Sequence, residues 1–265
     1  QRLPLTMGHE FCGRVVETGE DADVERGTRV VVNPLLWCGS CRYCAAGEHN
    51  RCESGGFVGI SGDGGFAEYA AVASERVVAM PDGVSAAAGA LVEPFAVALH
   101  ALDRSGLTAG DSVAVFGGGP IGLALAQWAA LAGADVVVSE PRPARRDLAA
   151  STASVVDPRE EDPVEAVTAE GPVDRAFEVA GVEATVEQAI ESTRHGGRVT
   201  VVSLFEDRVP VDLTAVVAAE RELVGTTAYA GGPRADEEFG RVLRAVERGA
   251  LDPEGLVTSR VGLDD

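Results

Sequence analysis

The chain has 265 residues and 46% hydrophobic content, enough for one large or two ordinary domains with a sizeable core. It carries 22 basic against 42 acidic side chains for a formal net charge of −20, and with no lysine present every one of those cations is an arginine. Such an anionic chain is not expected to bind nucleic acid or acidic membrane surfaces, because both need cations to displace counterions. Adaptation to high salt and a GC-rich genome account for the composition equally well. No run approaches the ~18 consecutive apolar residues of a membrane span, and no signal-like segment opens the chain, so a cytoplasmic location is expected.

Along the chain, short β-rich runs come first. Residues 13–17, 29–32, 66–70 and 76–79 read as strands separated by Gly, Asp and Pro. Near Pro94 the rhythm changes to alternating strand-like and helix-length segments at 112–116, 124–132, 135–139, 174–179, 183–193 and 198–203, the pattern of a parallel sheet with crossover helices. A last amphipathic stretch at 236–247 places Phe239, Val242, Leu243 and Val246 on one face. The predicted organisation is α/β: a β-rich domain over 1–93, a doubly wound parallel sheet over 94–230, and a return segment over 231–265.

Four of the five cysteines, Cys38, Cys41, Cys44 and Cys52, lie in one short loop. Four thiolates at such spacing can converge tetrahedrally on Zn2+ and leave no position open, which predicts a structural zinc. Two disulfides are the alternative, disfavoured in a reduced compartment.

The run Gly117-Gly118-Gly119-Pro120-Ile121-Gly122 follows a predicted strand and opens a predicted helix, matching G-x-G-x-x-G at Gly117, Gly119 and Gly122. In that context Gly117 permits the tight turn, Gly119 lets backbone amides approach a pyrophosphate, and Gly122 lets helix and strand pack closely. Glu140 ends the next predicted strand, eighteen residues after Gly122. An acid there hydrogen-bonds a ribose and repels a 2′-phosphate, so NAD is predicted rather than NADP. Arg142, Arg145 and Arg146 follow closely, and could either neutralise a 2′-phosphate or form a solvated helix start.

Gly8-His9-Glu10 and Glu93-Pro94 form the third constellation. Taken singly, the histidine reads as structural and the glutamate as a helix-start carboxylate near the dipole. Beside a dinucleotide fingerprint and a structural zinc, they become candidates for a second, open zinc.

Together, Gly8-His9-Glu10, the four-cysteine loop, the run from Glu93 to His100 and the Gly117–Gly122 loop resemble the zinc-dependent medium-chain alcohol dehydrogenases. Asn33-Pro34, Gly56-Phe57-Val58-Gly59 and Glu93-Pro94 are most similar to the 2,3-butanediol branch, with sorbitol and threonine dehydrogenases as relatives. The resemblance implies a GroES-like catalytic domain joined to a Rossmann domain, with the active site in the cleft between them. It also implies a catalytic zinc held by His9, Glu93 and a cysteine, with Glu10 beside the metal, and a homodimeric or homotetrameric assembly. The implied reaction is hydride transfer between a small secondary alcohol or vicinal diol and NAD. The family's cysteine ligand lies upstream of Gly-His-Glu and its members continue beyond Gly262, so the chain is expected to be incomplete at both ends. Cys12 reads as a packing residue. Sorbitol or threonine dehydrogenase activity is the alternative, and a zinc- and NAD-binding protein without turnover is the alternative from another class.

Overall fold

A computed structural model describes residues 3–230 and 233–263, the side chains of 233–236 excepted. The chain divides into two compact units: residues up to Ala96 together with those from Ala228 on, and Val97–Thr227.

In the first unit, β1 (Cys12–Arg14), β2 (Arg29–Val32), β3 (Leu35–Leu36), β4 (Gly56–Phe57) and β5 (Val77–Ala79) form two small antiparallel sheets, ordered β1-β2-β5 and β3-β4. Central strand β2 buries Val30, Val31 and Val32. Its first residue, Arg29, forks onto the turn after β5, donating to the carbonyls of Pro81 (3.2 Å), Asp82 (3.3 Å) and Val84 (2.5 Å). The cysteine loop lies between β3 and β4 and contains the single turn α1 (Arg42–Ala45). Helix α2 (Ala86–Ala90) is capped by Ser85, whose Oγ accepts from the Ala88 N–H. Next comes α3 (Val92–Ser105), with Glu93 in its first turn and Val92, Phe95, Ala96, Ala98 and Leu99 fully buried.

The strand expected at 66–70 is absent. The backbone there turns to the 6–8 segment instead: Gly64, Gly65 and Phe66 donate to the carbonyls of Thr6, Gly8 and Met7 at 2.8–2.9 Å, so these amides serve a loop clamp and join no ladder.

The second unit holds β6 (Ser112–Phe116), α4 (Pro120–Leu131), β7 (Asp135–Ser139), α5 (Pro143–Ala149), β8 (Ser154–Val156), α6 (Pro163–Val167), β9 (Val173–Glu178), α7 (Glu183–Ser192), β10 (Thr193–Val201), α8 (Leu213–Ala218) and β11 (Glu222–Gly225). The strands form one parallel sheet ordered β11-β10-β9-β6-β7-β8, the doubly wound Rossmann order. Near-continuous apolar runs such as Ser112–Phe116 suit strands covered on both faces. The switch point falls between β6 and β9. Strand β10 starts earlier than expected because its register shifts between Thr193 and Arg198, across a Gly-Gly pair that carries no alternating pattern. Arg221 braces this irregularity, donating to the carbonyls of Thr193 (2.7 Å) and Ala215 (2.8 Å).

Helix α9 (Pro233–Glu247) belongs to the first unit and buries Phe239, Val242 and Leu243, the face the periodicity predicts. No helix of the described residues is long and apolar enough to cross a membrane.

Two carboxylates brace the sheet. Asp174 accepts from Arg194 Nε (2.6 Å) and from the Ser112 N–H and Oγ (2.9 Å each), which hold its carboxyl at about 2. Asp157 is held at about 2 chiefly by its hydrogen bond from Arg159. Because both values lie below the ordinary 3.8, their stabilisation is complete above ~pH 4 and is lost as pH falls toward ~2. Asp174→Asn should therefore lower Tm at neutral pH and flatten the fall of Tm between about pH 4 and 2. Melts followed by circular dichroism across that range check this outcome.

Candidate functional site

The cysteine loop brings its four thiols together within 4.8 Å. Sulphur separations are 3.5 Å for Cys41–Cys44 and 4.0 Å for both Cys38–Cys44 and Cys41–Cys52. Four sulphurs about 2.3 Å from one zinc stand ~3.8 Å apart, whereas a disulfide needs about 2.05 Å, so the geometry fits the metal and excludes the bridges. Backbone amides of Ser40 and Cys41 hold the Cys38 thiol down to about 6, and Cys41 is lowered by the Cys44 amide. Burial pushes Cys44 up to about 12, so a cation is what makes the fourth thiolate affordable. His49 is no part of this cluster; its ring stacks on Trp37 at 4.6 Å, and the Arg76 guanidinium stands 5.1 Å from the Trp37 ring.

The second cluster is mixed. His9, Glu10 and Glu93 offer ligand atoms within 4.8 Å of one another, all in the first unit. His9 is seated by backbone geometry: Gly8 has φ +97°, a Cβ there would meet the Phe66 ring at 2.6 Å, and Gly59 and Gly64 press onto the Gly8 backbone. The imidazole packs edge-on against Phe57 of β4 (5.9 Å, 68°), with its Nε2 4.0 Å from Glu10 Oε1. Glu93 is only 5% exposed, and burial together with the charge of Glu10 pushes its carboxyl up to about 8. Burial also raises Glu10, against the opposing pull of His9. Two carboxylates that disfavour each other's ionisation beside an imidazole are a donor set suited to a divalent cation. Cys12 lies outside both clusters, its Sγ 3.1 Å from the Ala86 carbonyl.

In the second unit the glycine loop leaves β6 at the switch point. Gly117 has φ +115°, and a Cβ there would meet the Ala180 backbone after β9 at 3.0 Å; one at Gly122 would run into the Gly117 carbonyl. Gly119 is the N-cap of α4, with Pro120 at the first helical position and Ile121 next. Glu140, 3% exposed, accepts from the Gly118 N–H through Oε2 and from the Arg142 N–H through Oε1, both at 2.8 Å. Arg145 reaches over the loop to within 3.6 Å of Glu140 Oε2, and Arg146 donates to the Glu140 carbonyl. A Cβ at Gly119 would meet nothing nearer than Arg145 at 3.9 Å, which leaves open space at the helix N-terminus for an anion.

Two buried residues at these sites carry no motif. Glu178, at the end of β9, is completely buried; Oε1 accepts from Ala180 N–H, Gly181 N–H and Thr185 Oγ1 at 2.8–2.9 Å, ordering the loop opposite Gly117. Tyr229 is also completely buried, and burial, with the charge of Glu93 as a further cause, pushes its phenol up.

Comparison with known proteins agrees with both units. The pattern described as "Alcohol dehydrogenase GroES-like domain" matches residues 1–82, and "Zinc-binding dehydrogenase" matches residues 120–248. The (R,R)-butanediol dehydrogenase of Bacillus subtilis is 41% identical across 100% of this chain and 76% of its own length. The chain belongs to the zinc-dependent medium-chain alcohol dehydrogenase family. Among other members, the 2-dehydro-3-deoxy-L-galactonate 5-dehydrogenase of Pseudoalteromonas atlantica is 34% identical over 99% of this chain and 77% of that protein. A crystal structure from Sinorhizobium meliloti, described as a zinc-binding dehydrogenase bound to NADP, superposes with TM-score 0.88 at 35% identity, covering 95% of this chain and 75% of that one.

The two clusters of this dehydrogenase differ in how tightly they can hold metal. Four thiolates close a coordination shell, whereas the mixed cluster presents three donors. Mild chelation of the zinc-loaded protein should remove the metal of the mixed cluster well before the other. Cys44→Ser should lower the tightly held zinc by one equivalent per chain while the mixed cluster still binds, as elemental analysis during stepwise chelation would show.

Proposed function

We propose that this protein is an NAD-dependent, zinc-requiring dehydrogenase of small secondary alcohols, with vicinal diols as the preferred class. The observation that carries the reading is the convergence of His9, Glu10 and Glu93 in a chain that also holds a glycine loop at a Rossmann switch point. Similarity to a relative named for butanediol supports the substrate class. The second reading, a polyol or sugar-acid substrate, is favoured by the relative named for a galactonate derivative.

The work of each residue follows from its placement. The His9 imidazole and the Glu93 carboxylate would hold the metal, and Glu10, half exposed beside His9, would take up or release a proton at its carboxylate. Amides at the start of α4 would bind the pyrophosphate, with Gly119 leaving room for its approach. Glu140 would accept from the ribose hydroxyls through lone pairs not used by Gly118 and Arg142. Bound at these places, zinc supplies Lewis acidity toward an alcohol oxygen and the dinucleotide supplies the redox chemistry.

Cofactor choice follows from one buried charge. A 2′-phosphate at Glu140 would face a fixed carboxylate, and the nearby Arg145 is already paired to it. NAD should bind more tightly than NADP, and Glu140→Ala should shift the ratio toward NADP by about tenfold or more, since each 1.4 kcal/mol is a factor of ten. Fluorescence titration of both cofactors measures this; a Glu140→Ala variant with unchanged preference would assign the selectivity to Arg142 and Arg145 instead.

The substrate class is tested by following NADH formation with the zinc-loaded protein on 2,3-butanediol stereoisomers, sorbitol and threonine. The highest kcat/KM is expected for a butanediol, and a higher value for sorbitol or threonine would replace that reading. His9→Ala and Glu93→Ala should each abolish oxidation while leaving NAD binding and the cysteine-loop zinc in place.

A further inference from the structure

The crevice at the switch point of the second unit has two walls. One is the glycine loop after β6; the other is the turn 179–182 between β9 and α7, which no sequence motif marks. With the adenosine ribose at Glu140 after β7 and the pyrophosphate at the start of α4, the nicotinamide half of the dinucleotide falls on the β9 side.

That second wall is held from within by one side chain. Glu178 closes β9, with Phe116 of β6 and Val201 of β10 as its register partners. Its carbonyl accepts from the Val202 N–H (3.0 Å), and the Val179 N–H donates to the Phe116 carbonyl (3.0 Å). Beyond these bonds the backbone leaves the sheet, and its next two amides go to the Glu178 side chain. Oε1 accepts from the Ala180 N–H (2.9 Å), the Gly181 N–H (2.8 Å) and Thr185 Oγ1 (2.8 Å), which ties the first turn of α7 to the same oxygen. The turn so held is wedged between its neighbours. A Cβ at Gly117 would meet the Ala180 nitrogen at 3.0 Å, and one at Gly181 (φ +75°) would meet Ser203 of the loop after β10 at 3.6 Å. Any displacement of Ala180 and Gly181 therefore moves the crevice wall against the glycine loop.

Packing does not call for an acid here. Glu178 is 0% exposed, apolar Ala176 and Phe177 precede it in β9, and its Oε2 is buried with no hydrogen-bond partner among the described residues. Glutamates are almost never buried so completely unless they are paired, and what this one pairs with is the backbone of the turn.

We propose that Glu178 is a positioning residue for the nicotinamide half of NAD, its carboxylate fixing the 179–182 turn as the wall of the crevice opposite the glycine loop. This rests on the reading of the glycine loop and Glu140 as the dinucleotide site.

NAD and 5′-AMP are the probes, titrated by calorimetry into the zinc-loaded protein, with Tm as the check on folding. AMP carries only the adenosine and a single phosphate, so it reports the Glu140 side of the crevice alone. Glu178→Ala should weaken NAD about tenfold or more and leave AMP within about twofold, because three hydrogen bonds to one oxygen are lost. Glu178→Gln keeps an oxygen for the same three donors, and its NAD affinity should stand within about threefold of the unmutated value. Thr185→Val removes one donor and keeps the shape of the side chain; it should weaken NAD about two- to fivefold, with AMP unchanged. A folded Glu178→Ala variant that bound NAD as tightly as the unmutated protein, or that lost NAD and AMP alike, would overturn the proposal. If Glu178→Ala does not fold, Thr185→Val decides on the same two affinities: equal effects on NAD and AMP, or none, sink the positioning role. If the unmutated protein bound AMP as tightly as NAD, or bound neither, the dinucleotide reading itself would fall, and the role of Glu178 with it.

Discussion

Both candidate sites depend on backbone meeting backbone where no Cβ fits. At Gly8 the 59–65 turn lies directly on the main chain, and that contact aims His9 at Glu93. At Gly122 the first turn of α4 rests on the Gly117 carbonyl, and that contact sets the helix N-terminus at the switch point. Main-chain contact of this kind is stiff, because it has no rotamers to relax through. In each case functional side chains are carried on a framework that small residues make possible.

The cysteine loop and the mixed cluster are mechanically linked within the first unit. The loop is closed by β3 and β4, and β4 carries the Phe57 ring that packs on the His9 imidazole. The chain then runs directly into the turn that covers Gly8. Trp37, His49 and Arg76 stack at the other side of the loop, tying it to the segment before β5. A structural zinc in such a loop does more than close a surface segment, because the strand it anchors sets the wall against which the histidine rests.

Much of this was legible in the sequence, for local reasons. Cysteine spacing along one loop and a glycine fingerprint between a strand and a helix each lie within a few residues, where local geometry follows from residue type. The Rossmann strands announce themselves as apolar runs bounded by turn residues. The pairing of Glu93 with His9 comes from their company with a dinucleotide fingerprint and a structural zinc, and then from the family resemblance, and not from spacing, since the two lie far apart in the chain. The 66–70 segment misled because its alternation suits a strand, while the Phe66 amide, with those of Gly64 and Gly65 before it, is taken by residues 6–8. Tyr229 and Glu178 had no signal at all. One is a tyrosine in a loop and the other an acid at a strand end, and only the fold shows that both are buried and that Glu178 has backbone amides to hold.

Replacing every lysine by arginine has a consequence beyond net charge. Arg29 reaches three carbonyls of one turn and Arg221 reaches two across the irregular start of β10, which uses the planar spread of a guanidinium. An ammonium on a single stem would serve these oxygens one at a time, so the two cations are not interchangeable here even though their charge is equal. With no side-chain amine in the sequence, no ε-position can be acetylated, joined to ubiquitin or captured by an amine-directed crosslinker. Its four histidines apart, the cationic side chains of this chain are guanidinium groups that stay protonated at any physiological pH, and Arg29 and Arg221 are committed to holding its own backbone in place.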